Sequence, residues 1–109
     1  MATHEDAALM VQLFRWSTEL GLDDASHEVF AEGFDAKAAT MDNKSVRIML
    51  TFGECVGTLV KNNLLDRALV QDAWAVTHAW ARVAPAALRE RTRFDEPRMY
   101  ENFEALAGG

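Results

Sequence analysis

The chain contains a single cysteine, Cys55. That excludes an internal disulfide framework and any multi-cysteine metal or iron–sulfur centre. Prolines number only two and glycines six, too few to break up the helical patterns of a 109-residue chain or to signal disorder inside it. No stretch approaches the ~20 consecutive apolar residues that span a bilayer. The opening MATHEDAALM has neither the basic region nor the apolar run of a signal peptide. The expectation is a soluble, cytoplasmic protein with no membrane association. The G-x-S-x-G, H-E-x-x-H, G-x-x-x-x-G-K and G-x-G-x-x-G signatures are all missing, so the sequence predicts a non-enzyme with no cofactor and no metal.

Positive charge is scarce in the first part of the chain. Residues 1–42 hold nine acids against Arg15 and Lys37, a net of −7, whereas residues 43–109 hold eight acids against nine bases, a net of +1. An overall charge of −6 argues against duplex nucleic acid, which needs many uncompensated Lys and Arg. The polarity suits head-to-tail contacts or a local anionic partner.

What the chain does have is helical periodicity. Between Asp42 and Asp66, Val46, Ile48, Met49, Leu50, Phe52, Cys55, Val56, Leu59 and Val60 cover an arc of roughly 220°, wider than a surface helix needs, so this helix must be packed on several sides. Gly53 and Gly57 lie one turn apart within that arc, each costing about 1 kcal/mol of helix propensity relative to Ala. Their spacing predicts a groove entered by another backbone or a bulky ring. Asp42 is the expected N-cap, with Met41 and Val46 as a hydrophobic staple, and Asn62 and Asn63 are the expected stop.

Around this centre, Thr3 caps a first helix closed by Gly21, with Leu9, Leu13, Trp16 and Leu20 as its buried stripe and Met10 and Phe14 beside it. Asp23 or Asp24 caps a short second helix with an acidic outer face, and residues 35–41 form a connector. Asp66 starts a fourth helix from about Arg67 to Val83, making Asn43–Val83 an antiparallel helical hairpin with Leu69, Val70, Ala73, Val76, Trp80 and Val83 facing inward. Pro85 is expected to open a new segment, and Asp95 with Pro97 the last helix. The fold expected is all-α: a compact bundle of five or six helices around the hairpin at about 43–83, forming one domain over 1–109.

Candidate sites are few. Trp74, at the edge of the fourth helix beside Arg67 and His78, has the composition of an interface hot spot. Together with the wide apolar arc it predicts self-association as a two-fold homodimer, with a further protein partner as another use of the same edge. Arg82, Arg89, Arg91, Arg93 and Arg98 crowd the Pro85 corner, and guanidinium forks suit phosphates and carboxylates, so a small anion-binding or regulatory module is the alternative. Glu90, Asp95 and Glu96 are interleaved with them and compete for that charge. Cys55 and His78 lie on opposite arms of the hairpin, but a thiol within the apolar arc is inert by default. Glu54 shares a polar strip with Arg47 and Lys61 and is a candidate for a semi-buried ion pair with them, against the plainer alternative of a solvated or locally paired carboxylate. Asp24 and His27 stand at i and i+3, yet the second such pair that a helical metal site needs is absent.

The segments FGECVGTLVKNNLLDRALVQDAW, AWARVAPAALRERTR and EPRMYENFEALA, within about residues 46–107, resemble the bacterial family known as domain of unknown function 4760. Shared features are a glutamate–glycine helix, a leucine–leucine–aspartate turn, a Trp-bearing helix, an Arg-containing segment and a terminal tyrosine–phenylalanine–glutamate helix. The resemblance implies a compact helical domain with no established activity. Many such relatives carry a membrane-spanning segment ahead of the domain, which is not expected in this chain.

Overall fold

A computed structural model describes residues 1–108 and contains six helices among them: α1 (His4–Leu20), α2 (Leu22–Phe30), α3 (Lys44–Lys61), α4 (Arg67–Ala73), α5 (Val76–Arg93) and α6 (Glu101–Gly108). The described residues include no strand, and none of their helices is long and apolar enough to cross a membrane. α3 is the centre, covered by α2, α5 and α6. Val46, Met49, Leu50, Phe52 and Val56 are buried along it, as its wide apolar arc requires.

Side-chain caps open α1 and α3, and left-handed residues close several helices. Thr3 Oγ1 accepts the Asp6 N–H at 3.1 Å while Asp6 Oδ2 accepts the Thr3 N–H at 2.7 Å, a complete capping box that opens α1. Gly21, at φ 80°, ends α1 in a left-handed turn that costs glycine nothing. α2 then begins at once at Leu22, earlier than an Asp23 or Asp24 cap would place it, and has no side-chain cap. At the end of α3, Asn63 takes φ 59° and the Leu64 N–H reaches back to the Leu59 carbonyl at 2.9 Å.

Three further expectations require correction. The cap of α3 is Asn43, not Asp42: Asn43 Oδ1 accepts from Ser45 N–H and Val46 N–H at 2.8 and 3.2 Å, while its amide donates to Glu28 Oε2 at 2.7 Å. A carboxylate could accept the same bonds but has no proton to give Glu28. Pro85 does not open a segment; it sits inside α5. Its missing N–H leaves the Ala81 carbonyl without its helical partner, and exposure of Ala81 lets water serve instead. The helix continues because Val83, Ala86, Ala87 and Glu90 are all buried along it. Asp95 does not start the last helix. It closes α5 at φ 52°, with the Glu96 N–H on the Arg91 carbonyl at 2.9 Å, and α6 begins only after Tyr100, itself at φ 61°.

α6 is seated on α3 through the two glycines. A Cβ at Gly53 would overlap the Phe103 ring, and one at Gly57 would overlap the Asn102 backbone carbonyl. Polar bonds flank this contact: Phe103 N–H donates to Glu54 Oε1 at 2.9 Å and Asn102 Nδ2 to Thr58 Oγ1 at 3.0 Å. The predicted groove is therefore filled by this chain's own last helix, by ring and backbone together.

Candidate functional site

The predicted fourth helix is two helices, and the break between them creates the most distinctive surface of the molecule. At about 100° per residue, Val83 would lie roughly 220° from Val70 on one continuous rod, so the two buried faces would point in nearly opposite directions. Both are fully buried. The chain resolves the conflict by leaving helical geometry at Trp74 (φ −134°, ψ 148°) and Ala75 (φ −83°, ψ 66°). Trp74 thereby drops into a row of aromatic rings: its centroid is 4.8 Å from Phe14 on α1 and 5.2 Å from Phe52 on α3, and Phe52 in turn is 5.4 Å from Trp16. The outermost ring, Phe14, keeps 46% exposure and Val11 one turn before it keeps 62%. Phe14, read from sequence as lying beside the buried stripe, is thus an exposed cover for Trp74.

Beneath the break lies an apolar cavity of about 70 Å³, bounded by α2, α3, α6 and the first turn of α5. Ser26 provides its polar side chain, with a hydroxyl bond of 3.7 Å to Met49 Sδ.

Of the three residues read as one interaction edge, the structure separates Arg67 from the others. Arg67 Nη2 donates to the Ala105 and Leu106 carbonyls at 3.3 and 2.5 Å, satisfying the end of α6. Trp74 is half-buried, and His78 is exposed but stacked on Phe30 at 4.8 Å with an 18° interplanar angle. Trp80, read as core, keeps partial exposure and meets Phe103 edge-on at 5.2 Å.

The arginines of the Pro85 corner are largely committed to backbone carbonyls. Arg82 Nε donates to Val29 O at 2.6 Å and its Nη2 to Ala31 O and Phe34 O at 2.9 and 3.1 Å. Arg89 donates to Lys37 O at 2.8 Å and to Ala39 O. Arg91 donates to Met99 O at 2.7 Å and to Glu104 at 3.0 Å. Arg93 meets Glu90 at 3.4 Å and lies over the Phe94 ring, and Arg98 meets Glu101 at 2.8 Å. These forks hold the irregular segments around residues 31–41 and 94–100 against α5. Nothing in the sequence separates this use of arginine from anion binding, because carbonyl and phosphate oxygens accept from the same fork.

Burial, and secondarily the neighbouring Glu54 charge, raises the Cys55 thiol above its ordinary pKa and so disfavours the thiolate a nucleophile needs. Glu54 bonds the Phe103 amide rather than Arg47, which donates to Met41 O at 2.6 Å, or Lys61, which lies 3.9 Å from Glu101. Asp23, Asp24 and His27 bring ligand atoms within 4.8 Å of one another, all exposed on the outer face of α2.

The chain matches the family described as Domain of unknown function (DUF4760) over residues 2–109, which takes in α1 and α2 as well as the segments quoted above. It belongs to that family. No curated protein and no solved structure matches the chain. In this DUF4760 domain the glutamate–glycine pattern is the seat of α6, and the Trp-bearing segment is the site of the break.

Proposed function

We propose that this domain is a non-enzymatic helical interaction module that self-associates as a two-fold dimer through the exposed face of α1 and the Phe14–Trp74 aromatic row. The observation that carries the reading is a stripe on α1. Ala7, Val11, Phe14 and Thr18, all exposed, recur at helical spacing and are arranged symmetrically about the midpoint of Val11 and Phe14. An antiparallel copy of the same helix would set Val11 opposite Phe14 and Ala7 opposite Thr18 twice over, the self-complementarity an isologous interface needs. The Thr18 hydroxyl already donates to the Phe14 carbonyl at 3.2 Å, so covering it strands no donor. Phe14 also continues inward through Trp74 to Phe52, which gives the face the packed aromatic support of a hot spot.

The raised thiol of Cys55 and the structural use of Glu54 support the non-enzymatic part of the reading. The anion-binding alternative is less well supported, since Arg82, Arg89 and Arg91 spend their donors on carbonyls. Two differently tagged copies, coexpressed and purified through one tag, should co-purify. Phe14→Glu should abolish the co-purification, whereas Leu88→Glu, an exposed apolar position on α5, should leave it unchanged. Pairing through α1 juxtaposes two acidic segments, so added salt should strengthen it.

A further inference from the structure

The cavity beneath the Trp74–Ala75 break is bounded by small residues at places where larger ones would fill it. Ala79 is buried in its wall, and Ala75 and Ser26 stand at its rim; Gly53 also lines it, but there the Phe103 ring already takes the place of a side chain. Lining residues that keep exposure, namely Ser26, Phe30, Trp74 and Ala75, mark where it opens, while buried ones such as Val56, Phe103 and Leu106 close it elsewhere. Protein interiors rarely leave such space, and an apolar lining favours hydrocarbon over water as its occupant. Its volume of about 70 Å³ is roughly half the ~150 Å³ of an engineered apolar cavity that takes up benzene. A slim chain entering through the open side therefore fits better than a ring.

We propose that this cavity is a binding site for the short unbranched alkyl end of a small molecule, about four to six carbons long, whose single polar end remains at the opening beside Ser26. The Ser26 hydroxyl is suited to that role. Its bond in the structure is a 3.7 Å contact to the Met49 thioether, a weak acceptor, which an incoming oxygen would replace with a stronger one. Trp74 forms part of the wall, so its indole reports occupancy directly. The inference does not depend on self-association, because it uses the inner side of the break and not the face of α1.

The test is titration of the isotope-labelled full chain with 1-hexanol and, separately, 1,6-hexanediol, following the Trp74 indole N–H and the amides of Ala75, Val76 and Ala79 by NMR. Saturable shifts confined to the lining are expected with hexanol. Hexanediol, which would bury a hydroxyl at the closed end, should bind at least tenfold more weakly. Ala79→Leu, which fills the cavity, should abolish the shifts; should that variant fail to fold, the comparison of the two alcohols decides alone. Equal binding of both alcohols, shifts spread over the surface without saturation, or binding undiminished in folded Ala79→Leu would overturn the proposal.

Discussion

Glu54 Oε1 accepts the backbone N–H of Phe103 at 2.9 Å, so a side chain on the central helix caps the first turn of the last one. This bond lies between the two positions where glycine lets α6 approach, and it makes the α3–α6 contact directional. Replacing Glu54 with Ala leaves a part-buried donor without its partner and should cost about 1–3 kcal/mol. Glu54→Gln keeps an acceptor and should cost less. Urea midpoints of the two variants compare them directly; equal losses would mean that the carboxylate, not the bond, matters.

Gly57→Ala should destabilise by about 1–3 kcal/mol although alanine is the better helix former by about 1 kcal/mol. The obstacle is the Asn102 carbonyl, backbone that cannot swing aside as a flexible side chain would. Thermal unfolding checks the sign, and a stabilised variant would show that α6 sits farther from α3 than described.

Pro85→Ala should stabilise the protein by about 1–3 kcal/mol, because it restores an N–H for the Ala81 carbonyl and removes a residue unfavourable in a helix interior. A lower melting temperature would instead reveal that the proline ring's packing outweighs the recovered bond.

Acid should weaken the fold at two identifiable places. The Thr3 backbone N–H, partly opposed by desolvation and helped by the Thr3 hydroxyl and the Asp66 N–H, holds Asp6 below its ordinary 3.8. The Asn43 amide and then the Ser45 hydroxyl hold Glu28 below its ordinary 4.5. Both folded-state values are depressed, so both contributions are present above the unfolded values and disappear as pH falls through the folded ones. Melting temperature should therefore drop below about pH 4.5, and Glu28→Gln should show a shallower drop together with lower stability at neutral pH. An identical pH profile for Glu28→Gln would remove Glu28 from this account.

The central helix, its crowding on several sides and the close approach at Gly53 and Gly57 were legible in the sequence, because a wide apolar arc and paired glycines each have a single steric meaning. The Trp74 break was legible only in part. No glycine or proline marks it, yet Val70 and Val83 lie out of phase on one rod, a signal that reading the inward residues as one stripe concealed. The Pro85 reading failed because helix continuation is decided by the burial of Ala86, Ala87 and Glu90, which is tertiary information. For the candidate site, Trp74 stood out by its border position, but its cover by Phe14 and the cavity beneath it depend on packing between elements far apart in sequence. The arginine corner could not be resolved at all from sequence, since its acceptors are backbone oxygens that every segment possesses.

The measurement that bears most directly on the proposed role is the mass of the intact chain in solution. Light scattering over a micromolar concentration series should report a mass approaching twice 12.2 kDa, with Phe14→Glu reduced to a single chain at every concentration while retaining its helical content. A wild-type mass of one chain throughout that range, or a dimer that persists in Phe14→Glu, would contradict self-association through the face of α1.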